Sequence, residues 1–88
     1  MANPVDIVTI PGEWTLVAEN VTHGLIFPVI SEVAYFHTYK LTGEDAPTGQ
    51  EEGIPINVNM LKIGSIDPID VYIYTVSDKS NGIVKVCL

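Results

Sequence analysis

Ile69-Asp70-Val71-Tyr72-Ile73-Tyr74-Thr75-Val76 decides the fold. Branched Cβ atoms suit a pleated surface and disfavour a helix slightly. Strand alternation puts Ile69, Val71, Ile73 and Thr75 on one face and Asp70, Tyr72, Tyr74 and Val76 on the other. Val71 and Ile73 are core candidates. Downstream, the turn Ser77 to Gly82 ends in Asn-Gly, a strong short hairpin signal. Ile83-Val84-Lys85-Val86-Cys87-Leu88 then closes the hairpin, with Gly82 expected at positive φ.

The same chemistry extends upstream. The chain holds 11 Val, 11 Ile and 7 Thr among 88 residues, so strand formers dominate. Six prolines and seven glycines punctuate it too closely for a confident helix. Met60-Leu61-Lys62-Ile63 continues an apolar pattern to the turn at Gly64-Ser65, and Asp67-Pro68 marks another turn. Val33 to Leu41 is the clearest aromatic strand, with Tyr35, His37 and Tyr39 on one side and Phe36 on the other. Leu25 to Ile30 reads as a strand, and Trp14 to Ala18 as another, with a link over 20–24 between them. Trp14 and Phe36 join the core candidates, because large aromatics anchor small cores.

Two regions stand apart. Residues 1–12 predict an extended N-terminal arm: Val5, Ile7, Val8 and Ile10 lie between Pro4 and Pro11, and proline-bracketed strands lie at edges. Residues 42–53 predict one long loop carrying Glu44, Asp45, Glu51 and Glu52. Residues 13–88 then form a single all-β domain. The expected architecture is a small antiparallel β-sandwich or barrel of about seven or eight short strands.

Composition limits the partners. Eleven acidic residues face four lysines, with no arginine, for a net charge of −7. Nucleic acid and anionic membranes demand basic patches, so neither is an expected partner. No basic and apolar leader opens the chain, so a secretory signal is not expected, and the chain is expected to be made in the cytoplasm. A chain of this length buries only about 60–65% of its unfolded surface, so small domains of this kind are commonly stapled. One cysteine cannot make an internal disulfide, and 47% of the residues are hydrophobic. Partner chains are the expected staple, and Val5, Ile7, Val8, Ile10, Tyr35 and Tyr39 are the interface candidates.

Catalytic signatures are weak. His23 and His37 lie on different elements, and Cys87 has no nucleophile signature around it. The loop carboxylates could hold Ca²⁺ with turn carbonyls, but a solvated acidic loop is the commoner form. Asp67 and Asp70 flank a turn and do not read as an acid–base pair. No phosphate loop or nucleophile elbow occurs. The reading is of a protein that is not an enzyme, with no catalytic residues, cofactor or metal site. Trp14, Tyr35, Phe36, Tyr39, Tyr72 and Tyr74 could instead stack on sugar rings, which keeps a carbohydrate- or receptor-binding module as an alternative.

One resemblance runs through residues 13–88. Trp14-Thr15, Val17-Ala18, Asn20-Val21-Thr22 and Gly24 are followed by Tyr39, Thr42-Gly43, Ala46-Pro47 and Glu52-Gly53. Ile69 to Ile73 and Gly82 to Val86 complete the pattern. This resembles small structural proteins of tailed bacteriophage virions, in particular capsid decoration (cement) proteins. The chain departs from it in Lys40, where arginine is expected, and in its more apolar arm. The resemblance implies a non-enzymatic protein on the virion surface, bound to the major capsid (coat) protein, often as a homotrimer. It also admits another head–tail or tail component. The arm and exposed strand faces would make the contacts, and the acidic loop would face solvent.

Overall fold

The computed structural model describes residues 4–30, 33–49, 53–56, 60–76 and 80–88. Among them there is no helix. The six strands are β1 (Val5–Thr9), β2 (Trp14–Pro28), β3 (Ala34–Leu41), β4 (Ile54–Pro55), β5 (Leu61–Val76) and β6 (Gly82–Cys87). They form one antiparallel sheet in the order β1-β6-β2-β5-β3-β4.

The described residues hold six strands in place of the expected seven or eight, because β2 and β5 are long. The stretch over 20–24 bends without leaving the sheet. Asn20 takes φ 57°, a left-handed conformation that asparagine tolerates. Register shifts on both sides of Val21 absorb the bend. On β5 the expected turns are a wide bulge: Val21 pairs with Ile69 and His23 with Gly64. Ser65 to Pro68 therefore stand opposite the single residue Thr22 and project outward.

The bends divide the sheet into two halves. The N-terminal part of β2 pairs with the C-terminal part of β5, which also pairs with β3. The C-terminal part of β2 lies between β6 and the start of β5. The halves fold over one another around a core that includes Val17, Ile26, Tyr35, Ile63, Ile69, Val71, Ile73, Val84 and Val86. Ile26, Ile73 and Val84 have no exposed surface. Polar groups pin the closure. The Thr9 hydroxyl on β1 hydrogen-bonds the Thr75 hydroxyl on β5, and the Gly12 N–H donates to the Thr75 carbonyl at 3.1 Å. The Tyr35 hydroxyl on β3 accepts from the Ile83 N–H of β6 at 3.2 Å.

Three expectations are corrected. The N-terminal stretch is extended and lies at an edge as expected, but it belongs to the sheet of its own chain rather than standing apart from residues 13–88. It pairs along β6 from Val5↔Val86 to Thr9↔Gly82, and Thr9 is fully buried. The Asn81-Gly82 signal does not make a β5–β6 hairpin, because β6 pairs with β1 and β2 in the other half. Gly82 is not among the glycines at positive φ, which are Gly12 and Gly43. Glycine is needed at 82 for space, since a Cβ there would come within 2.7 Å of the Tyr35 ring and 2.9 Å of the Thr75 hydroxyl.

Candidate interaction surfaces

The folded sheet has two outer faces, and alternation decides what each carries. On the half built from β3, the end of β5 and the start of β2, one cross-strand row runs Trp14–Tyr74–Phe36–Pro55. The Trp14 and Tyr74 rings meet at 5.1 Å and 59°. Trp14 and Phe36 are thus half-buried residues of an outer face, not members of the buried core. Val71 and Ile73 do lie in the core.

The long acidic loop is tied to this face at both described ends. The Trp14 indole N–H donates to the Gly49 carbonyl at 3.1 Å, and Pro47 is buried. At the other end the Thr42 hydroxyl donates to Asp70 Oδ1 at 3.0 Å. The same oxygen accepts the Asn20 N–H at 2.9 Å, so one buried carboxylate holds both the β2 bend and the loop. Between these ties Tyr72 is buried, while Glu44 and Asp45 are exposed. Glu51 and Glu52 lie outside the described residues.

The other outer face belongs to β1, β6 and the end of β2. Val84 and Val86 point into the core, so Ile83, Lys85 and Cys87 point out. Two cross-strand rows result. Asp6, Lys85 and Phe27 form one, with Lys85 Nζ 3.7 Å from Asp6 Oδ1. Val8, Ile83 and Val29 form the next, where the Val29 N–H donates to the Ile83 carbonyl at 2.9 Å. Val8, Ile10 and Val29 are each at least half exposed. Leu25 and Cys87 pair beyond the charged row, with Lys62 next to Leu25.

A third surface is the tip at the open end of the sheet. Ile66, on the bulge, is 98% exposed. Tyr39 and Leu41 are exposed on β3 nearby, and Leu41 pairs with Ile69. Carboxylates rim the tip: Asp67 follows Ile66, and Glu44 accepts the Leu41 N–H at 2.8 Å. Beside it a cleft of about 160 Å³ is lined by His37, Tyr39, Leu61, Ile63, Ser65 and Val71, among others. Burial pushes the His37 imidazole below its ordinary value of 6.5.

The interface candidates therefore separate. Val5, Val8, Ile10 and Tyr39 are exposed, and Ile7 is half-buried against the core. Tyr35 is 5% exposed and leaves the set, because its ring fills the closure and its hydroxyl serves Ile83. Sequence reading missed Ile66, whose neighbours Ser65, Asp67 and Pro68 read only as turn residues. No family model, curated protein or solved structure matches this chain.

Proposed function

We propose that this chain is a non-enzymatic virion structural protein that decorates the outer face of a bacteriophage coat-protein shell and stabilises it. The observation that carries this reading is the survival of exposed apolar side chains in two separate places. One is the β1–β6–β2 face at Val8, Ile10 and Val29, and the other is the tip at Tyr39, Leu41 and Ile66. A subunit that meets both its own kind and a lattice needs two such surfaces. The resemblance to decoration proteins supplies the class of lattice; the homotrimer it implies gives way to the two-fold contact argued below.

The tip suits the shell contact. An isoleucine projecting on a bulge fills a partner's apolar pocket, and the acidic rim prefers a basic margin around that pocket. The test is co-sedimentation with expanded coat-protein shells of a tailed bacteriophage. The wild-type chain should pellet with them in hundreds of copies per particle. Ile66→Glu should abolish pelleting while leaving the melting temperature unchanged, since Ile66 buries almost nothing in its own chain. A chain that stays in the supernatant with intact shells overturns the reading. About six to twelve copies, the order set by a ring at a single vertex, would point instead to a neck or tail component.

A further inference from the structure

We infer that the outer surface of β1 and β6 is the contact between two copies of this chain, packed about a two-fold axis parallel to the strands and midway between those two strands. This rests on the reading of the chain as an assembly subunit, and it names the occupant of one of its two apolar surfaces.

Charge selects the occupant. The chain carries −7 overall, so two copies repel one another over most of their surface. Among the described residues this face differs: it carries one carboxylate, Asp6, and one ammonium group, Lys85, with Lys62 of β5 beside Leu25. The other described charged residues are six carboxylates, Glu13, Glu19, Glu44, Asp45, Asp67 and Asp70, and one lysine, Lys40. Two copies of an acidic protein meet with least repulsion through the face that holds least of the acid.

The arrangement of the charges selects the symmetry. Asp6 and Lys85 are direct cross-strand partners at the same height along the sheet. Rotation about an axis between their strands places β1 of one copy over β6 of the other. Asp6 then lies over Lys85 of the second copy, and Lys85 over its Asp6. The same rotation puts Val8 over Ile83 of the second copy, so the apolar row also meets itself. A patch that complements itself in both charge and shape is what an isologous dimer requires. Two sheets packed in this way stay within about 30° of parallel, which the twist of each sheet accommodates. Within one copy the Asp6–Lys85 pair is long and exposed, so it contributes little to folding. Buried between two faces, the four charges become paired and shielded from water.

The experiment is a charge exchange read by sedimentation equilibrium. Asp6→Lys makes the face wholly basic, and Lys85→Asp makes the Asp6 row wholly acidic. The wild-type chain should sediment as a dimer. Each variant alone, with a native circular dichroism spectrum and melting temperature, should dimerise roughly tenfold more weakly or worse. A one-to-one mixture of the two should recover a dimer, because both ammonium groups of the first variant's row then meet carboxylates of the second across the axis. A monomeric wild type, undiminished dimers of the single variants, or a mixture that stays monomeric overturns the pairing. A wild-type trimer also overturns it, since a three-fold ring needs two different faces. Each of these results is read on the free chain, whereas decoration is read by shell binding, so either idea can fail alone.

Discussion

The two outer faces of the sheet begin with similar chemistry and end differently. Both present large apolar side chains: Trp14, Phe36 and Tyr74 on one, and Val8, Phe27, Val29 and Ile83 on the other. The first is covered by its own chain, through a loop tied at Thr42 and Gly49. That loop also carries acidic groups, so the covered face turns a charged surface outward. On the second face Val8 and Val29 stay exposed and Phe27 and Ile83 half-buried, and among the described residues it holds one carboxylate, Asp6. An acidic loop thus does two things at once. It buries one face, and it leaves the other as the place where copies can approach. Indole and carboxylate side chains supply the ties, because each offers a directional polar atom at the rim of an apolar patch. Val8, Ile83 and Val29 offer none.

The largest expected effect removes both faces together. Gly82 lies where β6 crosses the closure, against Thr9, Tyr35 and Thr75. Valine there should force the halves apart and cost about 3 kcal/mol, the upper part of the usual overpacking range. Urea unfolding checks it. An unchanged midpoint would mean that the closure is not packed as described.

A smaller change separates the faces. Trp14→Ala removes a half-buried ring and the tie to Gly49, and should cost about 2 kcal/mol, less than a fully buried tryptophan. The released loop should be cut at Glu44 by a glutamate-specific protease well before the wild type is. Self-association should survive, since β1, β6 and the end of β2 are untouched. Loss of the dimer along with the loop would show that the two faces are not independent.

The class of the fold was legible in the branched residues and in the alternation over 69–76, and Val71 and Ile73 lie where that alternation puts them. The path was less legible. Asn20 and the run Ser65 to Pro68 read as chain reversals because asparagine, glycine and proline serve turns and bulges alike. Only the paired strand tells these apart. Gly82 misled for a related reason: Asn-Gly signals a hairpin locally, but the space left by a missing Cβ can be used by contacts far along the chain, here Thr9 and Tyr35. Tyr35 and Trp14 exchanged their expected places, the first inside and the second outside. Alternation says which residues share a face but not which face is buried. The surfaces were the least legible part, because charge and exposure at Asp6, Lys85 and Ile66 depend on pairings that no local pattern contains.

The smallest effect concerns neither outer face. His37 lies on the inner side of β3, in register with Ile73 and at the edge of the cleft. Burial lowers its pKa below 6.5 in the folded chain. The unfolded chain therefore takes up this proton first as the pH falls. The stability associated with the neutral ring is fully present above 6.5, shrinks as the pH falls below it, and is gone once the folded ring is also protonated. His37→Gln removes this dependence. The stability difference between wild type and variant should stay constant at neutral pH and above, then shift against the wild type on acidification. The carboxylates titrate in both proteins and cancel in that difference. Dimerisation should follow the same pH course in both, because the ring faces the core and not the Asp6–Lys85 row. A variant whose self-association responds differently to acid would place His37 in communication with that face, through Ile73 and the closure at Thr75.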